Sequence, residues 1–242
     1  MILALIPSRL KSKRLNRKPL LEIDGLPIIV HTFKRALLSK KVDKVIVCTD
    51  SKEIQNVVEQ HGGQAMLTSK NHRNGTDRIA EIAKKFKPKL VIDIQGDEPL
   101  VDPSDIDKVI NFHKKNNKFD LVLPIKNTKN AEDKSLIKVV HSNKKILYFS
   151  RAKIPYNFNN RTINYFKDLS VISFKPQALQ KFSRLKPSYL EITEGIELLR
   201  AIENELSIGT FESKGSSFGV NVKQDLLRAI NEMPKNKFRK FY

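Results

Sequence analysis

Several features that mark common protein classes are scarce or missing in this chain of 242 residues. Cys48 is its one cysteine, so no internal disulfide can form and the chain suits a reducing compartment. No apolar run approaches the ~18 residues of a membrane span, and the opening MILALIP is too short for a signal peptide. We therefore expect a cytoplasmic protein that has no membrane partner.

Familiar catalytic and metal-binding motifs are also missing. Neither the phosphate-binding pattern GxxxxGK[ST] nor the dinucleotide pattern GxGxxG occurs. His31 and His72 belong to no H-x-E or H-E-x-x-H pair, so a zinc site has no support. Cys48 lies within the apolar VIVCTD and is predicted to be a small buried hydrophobic residue rather than a nucleophile.

The composition indicates a globular protein with a basic surface. Hydrophobic residues make up 40% of the chain and charged residues 29%, enough apolar content to offset the entropy of ordering the backbone. The formal net charge is +19, but the lysines are spread along the whole chain. We favour a solvated basic surface; a nucleic-acid-binding protein is the alternative, and it predicts salt-sensitive binding to unrelated oligonucleotides.

Strands alternate with helices through the first half of the chain. Apolar runs predict strands at residues 2–6, 44–48, 64–68, 90–94 and 120–126, and helical spacing predicts helices at 28–38, 52–61, 75–86 and 105–115. Thr49 or Asp50 would cap the second helix and Thr76 the third. This alternation predicts an α/β fold with a doubly wound, mostly parallel sheet.

The pattern changes after residue 136. IKVVH, ILYFS and LSVISF are strand-like and separated by polar turns, which predicts hairpin pairing. Helices are predicted at 189–205 and 223–233, on either side of a last strand near GTFES. We expect one domain over residues 1–242, with a hairpin insertion or arm around 137–175.

Three polar stretches fall where ligands bind in such sheets, beyond the carboxyl ends of the strands. IPSRLKSKRLNRKPL carries six basic residues after the first strand and predicts either a phosphate-binding loop or a solvated turn. QGDEP follows a buried strand, and Asp97 there could hold Mg²⁺ together with phosphate oxygens. In the alternative interpretation, Asp97 and Glu98 simply begin a loop. HRNGTDR precedes the third predicted helix.

The segments IPSR, SKRL, RKPLLEIDGLPIIVH, NHRNGTDRIAE, IQGDEPLV and LYFSRAKIP together resemble the 3-deoxy-manno-octulosonate (KDO) cytidylyltransferases. The resemblance returns in YLEITEGIELLRAIE and FGVNVKQDL. It implies transfer of CMP from CTP to the anomeric hydroxyl of KDO, with release of pyrophosphate, for lipopolysaccharide synthesis. It also implies Mg²⁺ as cofactor and a homodimer.

The resemblance assigns roles to individual residues. It implies that Arg9, Arg14 and Lys18 hold the triphosphate while the backbone of Pro7, Ser8 and Arg9 closes over the nucleotide. Arg9, Lys18 and Asp97 would act in catalysis. Further implied contacts are cytosine with Asn74, Gly75 and Arg78; the sugar acid with Gln95, Arg151, Glu191 and Glu194; and magnesium with Asp97 and Asn221. For Arg78, and for Glu191 with Glu194, a solvated helix face is the alternative.

Two departures from the family pattern affect these expectations. The family sequence GVDT is GVNV here, so Asn221 replaces an aspartate and the metal site loses one negative charge. In KDLSVISFK, Asp168 replaces a histidine, and Ser170 and Ser173 replace glycines, in a region that helps to recognise the sugar acid. Two alternatives follow: a different or amino-substituted ulosonic acid as substrate, or a weakly active nucleotide-binding homologue.

Overall fold

The computed structural model describes residues 1–12, 14–215 and 217–242, so Lys13 of the basic stretch and Ser216 lie outside the described residues. The strands within them are β1 (Ile2–Ser8), β2 (Glu22–Ile23), β3 (Leu26–Pro27), β4 (Lys44–Thr49), β5 (Ala65–Leu67), β6 (Leu90–Ile94), β7 (Leu121–Thr128), β8 (Lys138–Ser142), β9 (Lys145–Ser150), β10 (Tyr165–Asp168), β11 (Val171–Phe174) and β12 (Ile208–Glu212). The helices are α1 (Ile28–Leu37), α2 (Lys52–Gln60), α3 (Gly75–Ala83), α4 (Pro103–Lys115), α5 (Pro176–Arg184), α6 (Tyr189–Glu194), α7 (Leu199–Glu203) and α8 (Lys223–Glu232).

A ten-stranded sheet runs in the order β10-β8-β9-β12-β7-β11-β6-β1-β4-β5. Neighbours from β6 to β5 are parallel, and β12 is parallel to β7. β11 lies antiparallel between β6 and β7, so those two strands point the same way. Following the pairings across the sheet, only β9, β10 and β11 run against the remaining strands. The mostly parallel sheet predicted from the sequence is confirmed.

Helices cover both faces of the sheet because the side chains of each strand alternate between the faces. Leu3 and Leu5 of β1 belong to a core cluster with residues of α3, α5 and α7. Ala4 and Ile6 of the same strand belong to a second cluster with residues of α1, α2 and α4. These two clusters explain why β1 is apolar throughout: both of its faces are buried. Among the described residues, no helix is both long and apolar enough to span a bilayer.

Residues 137–175 extend the main sheet. β8 and β9 form the antiparallel hairpin expected from IKVVH and ILYFS, with Asn143 and Lys144 at positive φ in the turn. β10 pairs with both β7 and β8, and β11 inserts between β6 and β7. A part for this region in dimerisation stays a prediction.

The observed helix caps differ from those predicted. Ser51 caps α2, and its side chain accepts a hydrogen bond from the backbone N–H of Ile54, so Thr49 and Asp50 are not the cap. Asn74 caps α3 in the same way, and Thr76 lies inside the helix. In both cases a residue nearer the true helix start carries a short polar side chain, which is what the cap position requires.

The last third of the chain contains more helices than we predicted. The single helix expected over 189–205 is two helices, because Gly195 adopts a left-handed backbone that ends α6 before α7 begins. α5 was not predicted, although Pro176 at its start and Ala178, Leu179 and Phe182 on its buried face follow the usual pattern.

Candidate active site

A cavity of about 440 Å³ opens beyond the carboxyl ends of β1 and β6. Eleven predicted site residues line it: Pro7, Ser8, Arg9, Arg14, Lys18, Asn74, Gly75, Arg78, Gln95, Asp97 and Asn221. Six lining side chains are basic, including Lys11 and Arg73, whereas Asp97 is the one carboxylate of the described lining. Such a charge balance attracts anions.

The parallel strands position these residues. Ser8 at the end of β1 is in register with Thr49 at the end of β4, and Leu5 with Asp93 of β6. The loops that follow the three strands therefore leave the sheet side by side. Gly96 is needed there because a Cβ at that position would lie 2.6 Å from the backbone oxygen of Pro7.

Lys18 lines the cavity and contacts both Asp97 and Asn221. Its Nζ donates to Oδ2 of Asp97 at 2.5 Å and to Oδ1 of Asn221 at 3.5 Å. Arg14 also donates to Oδ1 of Asn221, at 2.9 Å. Lys18 and Arg14 thus donate hydrogen bonds to one oxygen atom of each of the two residues predicted to hold magnesium.

The donor set around Lys18 fits a hard divalent cation. Asp97 and Asn221 offer a carboxylate and an amide oxygen, which are ligand types that Mg²⁺ accepts. Both side chains approach Gly219, whose added Cβ would lie 3.1 Å from Nδ2 of Asn221 and 3.6 Å from Oδ1 of Asp97. The described residues contain no group of three or more His, Cys, Asp or Glu side chains suited to a metal. A magnesium ion would therefore need phosphate oxygens and water to complete its shell.

The NGTDR turn forms another part of the wall. Asn74 caps α3 by accepting a hydrogen bond from the backbone of Asp77 at 2.8 Å. A Cβ on Gly75 would lie 3.0 Å from Cγ of Pro7, so this turn packs closely on the loop after β1. The backbone of this turn is held in place without using the amide nitrogen of Asn74.

Arg78 is buried, with 3% exposure, and is not a surface charge. Its guanidinium donates to Asp50 at 2.9 Å and to the hydroxyl of Thr68. Because the guanidinium still lines the cavity, this network fixes a charged donor in the wall.

A second cavity, of about 350 Å³, adjoins the first and shares Arg73 and Asn74 with it. Its other lining residues are Pro187, Glu191, Ile192, Gly195, Glu197 and Arg200. Arg200 is fully buried and pairs with Glu191 at 2.9 Å and Glu197 at 3.4 Å. Burial raises the pKa of the Glu197 carboxyl to about 7, while a hydrogen bond from Thr76 and the charge of Arg200 oppose this rise.

The predicted sugar-binding residues fall into separate groups. Glu191 faces the second cavity, and its Oε2 accepts a hydrogen bond from the backbone N–H of Ser188 at 3.1 Å. Glu194 instead accepts hydrogen bonds from the hydroxyl of Ser150 at 2.6 Å and the backbone of Arg151 at 3.0 Å. The guanidinium of Arg151 donates to backbone oxygens, including that of Gly195 at 3.3 Å. Arg151 and Glu194 line neither cavity as described.

Asp168 ends β10, where it is half-buried. Burial raises the pKa of its carboxyl to about 6, and the neighbouring charges of Lys167 and Arg151 oppose the rise. Ser173 on β11 is fully buried and hydrogen-bonded to Nδ1 of His113 at 2.7 Å. Asp168 is therefore more accessible than Ser173, and Ser170 is half-buried like Asp168.

Several lining residues were not predicted from the sequence. In the first cavity these are Lys11, Ser12, Pro19, His72, Arg73 and Gly96, and in the second Pro187, Ile192, Gly195, Glu197 and Arg200. Lys11, Arg73 and Gly96 lie beside predicted residues in the same segments, and this position is the sequence signal that points to them. The burial of Arg200 beneath α6 had no sequence signal.

Comparison with known proteins places the chain in a family. A profile described as "Cytidylyltransferase" matches residues 3–208. The chain is 39% identical over 232 residues to the 3-deoxy-manno-octulosonate cytidylyltransferase of Chlorobium phaeobacteroides, covering 93% of this chain and 94% of that protein. The chain belongs to the cytidylyltransferase family. A similarly named protein of Fusobacterium nucleatum is 37% identical to this cytidylyltransferase, over 98% of both chains.

Solved structures agree with this assignment. This cytidylyltransferase has a TM-score of 0.93 and 32% identity to a CMP:2-keto-3-deoxy-manno-octonic acid synthetase complexed with CTP, covering 97% of this chain and 98% of that one. A 4-diphosphocytidyl-2C-methyl-D-erythritol synthase from Anaerococcus prevotii, at 16% identity and a TM-score of 0.66, shares the fold.

Proposed function

We propose that this cytidylyltransferase transfers CMP from CTP to KDO, releases pyrophosphate and so activates the sugar acid for lipopolysaccharide synthesis. The observation that carries the proposal is the basic cavity, where Arg9, Arg14 and Lys18 meet Asp97 and Asn221. The names of the relatives and of the CTP-bound structure support the two substrates.

The triphosphate would lie against the loop after β1. Arg9, Arg14 and Lys18 supply guanidinium and ammonium donors, and the backbone at Pro7, Ser8 and Arg9 closes the cavity on that side. Lys18 bridges Asp97 and Asn221 in the described structure, so it can turn from these oxygens to phosphate oxygens when the nucleotide binds.

The cytosine would lie against the NGTDR turn. Arg78 presents a fixed charged donor, and Asn74 and Gly75 complete the wall. A pocket whose buried polar groups must all be paired discriminates strongly between bases, because an incorrect base leaves one of them unpaired.

The sugar acid would enter from the second cavity. It adjoins the nucleotide cavity at Arg73 and Asn74, and Glu191 and Glu197 offer acceptors for sugar hydroxyls. Gln95 lines the first cavity together with Asp97, and we assign it to the acceptor from the family resemblance. We also assign Arg151 and Glu194 to the acceptor side, from the family resemblance, through the backbone that they hold beside Gly195.

In the reaction the anomeric hydroxyl oxygen of KDO forms a bond to the α-phosphorus and gives up its proton to solvent, and the bond from that phosphorus to the pyrophosphate oxygen breaks. The basic side chains stabilise the charge that builds on the phosphate oxygens, and the two cavities hold the reactants in line. We propose Mg²⁺ as the cofactor, held by Asp97 and Asn221. When bound, the ion supplies Lewis-acid stabilisation of phosphate charge.

The test is a substrate panel. Pyrophosphate release should require CTP, Mg²⁺ and KDO together, and UTP or ATP should support little release. Arg9→Ala and Asp97→Asn should each lower kcat/KM by at least ~100-fold, as expected for groups that stabilise transition-state charge. Release that does not depend on a sugar acid would contradict the proposal.

A second candidate function is the activation of a different ulosonic acid. Asp168, half-buried at the end of β10, carries a carboxyl where the family pattern has a histidine, and an amino-substituted sugar acid would complement it. The same panel should therefore include amino-substituted ulosonic acids. Slow turnover with every acid, despite tight CTP binding, would instead indicate a weakly active homologue.

We also propose a cytoplasmic homodimer. Tyr156 and Phe158 are 85% and 82% exposed in the segment after β9, where aromatic side chains suit a subunit contact. Buried, unpaired Cys48 suits a reducing compartment. Sedimentation of the wild type and of Tyr156→Ser/Phe158→Ser should give a dimer and a monomer, respectively; two identical profiles would contradict this interface.

A further inference from the structure

Asp93 is a buried acid that the proposed chemistry does not use. It lies on β6, in the middle of the sheet, with 1% exposure. A carboxyl in such a position is costly unless it is hydrogen-bonded or protonated. Burial raises the pKa of the Asp93 carboxyl well above its usual range, and the negative charge of nearby Glu197 raises it further.

The partner of Asp93 is Gln95, two residues along the chain. Nε2 of Gln95 lies 3.2 Å from Oδ1 and 3.1 Å from Oδ2 of Asp93. The Gln95 side chain also lines the nucleotide cavity next to Asp97. The carboxamide therefore connects a buried acid to the place where phosphate and sugar would meet.

This contact decides which end of the Gln95 amide faces the ligand. The amide nitrogen is the end that a carboxyl oxygen attracts, so the carbonyl Oε1 points away from Asp93. Among residues 1–12, 14–215 and 217–242, no protein donor reaches Oε1 within hydrogen-bond distance. Oε1 is thus available to accept a hydrogen bond from a substrate hydroxyl.

We propose that Asp93 is a positioning residue, whose carboxyl orients the Gln95 carboxamide so that Oε1 accepts a hydrogen bond from a hydroxyl of the acceptor sugar acid. This inference rests on the proposed function. When Asp93 is protonated, its carbonyl oxygen still accepts the hydrogen bond from Nε2 of Gln95. The protonated carboxyl adds no negative charge beneath a cavity that must hold two anionic substrates.

The experiment compares Asp93→Leu, Gln95→Ala and their double variant in the full-length protein. Asp93→Leu should lower kcat/KM for KDO about tenfold, the loss expected for one misoriented hydrogen bond. The dissociation constant for CTP, measured by calorimetry, should change less than about twofold. The double variant should be no slower than Gln95→Ala alone, because Asp93 acts only through Gln95.

Asp93→Asn is the conservative variant and also the safeguard against misfolding of Asp93→Leu. Asparagine keeps one acceptor oxygen for Gln95, so its kcat/KM for KDO should stay within about threefold of the wild type. Loss of activity in Asp93→Asn at an unchanged melting temperature would overturn the proposal, because it would show that an ionisable group is needed.

The outcomes also separate this inference from the proposed function. An active wild type in which the effects of Asp93→Leu and Gln95→Ala multiply would overturn the positioning role alone. An unchanged kcat/KM for KDO in Gln95→Ala would do the same. A wild type that releases no pyrophosphate with CTP and any sugar acid would overturn both.

Discussion

At the scale of single residues, the site depends on charges that are already paired within the protein. Lys18 with Asp97, and Arg78 with Asp50, are ion pairs with at least one mostly buried partner. Such pairs add little net stability, but they hold charged groups in fixed positions before a ligand arrives. The consequences can be tested by changing one partner at a time.

Asn221→Asp should add a negative charge to the proposed magnesium site. The half-saturating Mg²⁺ concentration should fall about tenfold, which corresponds to about 1.4 kcal/mol for one added charge near a dication. The measurement is a magnesium titration of pyrophosphate release, with Asn221→Ala as the control that should need more Mg²⁺. Identical titrations for Asn221→Asp and the wild type would mean that this side chain does not coordinate the metal.

Arg78→Met should destabilise the fold, because it leaves the Asp50 carboxylate without its charged partner. Loss of one member of a buried pair costs about 3 kcal/mol. Urea unfolding should show this loss, and Arg78→Met with Asp50→Asn should recover part of it. Arg73→Met is the matched control, since the half-exposed Arg73–Asp77 pair should be worth at most about 1 kcal/mol. Equal losses in the two single variants would contradict the difference in burial.

At the scale of secondary-structure elements, the site depends on how closely loops and helices approach one another. The loop after β6 passes within van der Waals distance of β1 at Gly96, and α1 packs against the C-terminal segment through His31 and Tyr242. The contact at Gly96 shapes the cavity, and the contact between His31 and Tyr242 holds α1 against the C-terminal segment.

Gly96→Ala should disturb the cavity directly. Its methyl group would meet the backbone oxygen of Pro7, so we expect a loss of about 1 to 3 kcal/mol in unfolding free energy together with weaker CTP binding. Gly62→Ala is the control: open space surrounds it and only its left-handed backbone is strained, so CTP affinity should not change. Calorimetry with CTP checks both variants, and unchanged affinity in Gly96→Ala would refute the tight approach.

His31 should make the stability of the fold sensitive to acid. The pKa of His31 is lowered to about 4, mainly by burial and also by the charges of Arg239 and Arg35, while the carbonyl of Ile23 and the carboxylate of Asp24 oppose this fall. Between pH 6.5 and 4 the unfolded chain takes up a proton at this position that the folded protein does not, so stability falls with falling pH by about 3 kcal/mol.

His31→Gln removes this proton uptake. Its stability deficit relative to the wild type at pH 7 should therefore shrink by about 3 kcal/mol by pH 4, as followed by urea unfolding at each pH. A deficit that stays constant over this range would contradict the low pKa of the buried imidazole.

At the scale of the whole molecule, the excess of 45 basic over 26 acidic residues affects how anionic substrates arrive. A positive surface around a basic cavity speeds the approach of CTP and is screened by salt. Added salt should therefore lower kcat/KM for CTP more than it lowers kcat, and steady-state kinetics at several salt concentrations test this. Tight, salt-sensitive binding to unrelated oligonucleotides would favour the nucleic-acid alternative instead.

Most residues that line the first cavity were predicted from the sequence. IPSR ends β1, NGTDR begins α3 and QGDEP follows β6, so their residues meet at one edge once the strands are parallel. Glu197 and Arg200 of the second cavity were not predicted, because they follow a break at Gly195 that the apolar pattern of 189–205 does not reveal. The sequence allows Arg78 either a contact with cytosine or a solvated helix face, and the structure excludes the solvated face because Thr68 and Asp50 from other segments bind the buried guanidinium.

Local spacing and side-chain chemistry are enough to predict the alternation of strands and helices, the basic loop and the family motifs. The folded structure is needed to show that β11 inserts antiparallel between β6 and β7, that Asn74 rather than Thr76 caps α3, and that Asp93 contacts Gln95. Strand order, burial and the direction of an amide depend on contacts between distant segments, and those contacts exist only once the chain has folded.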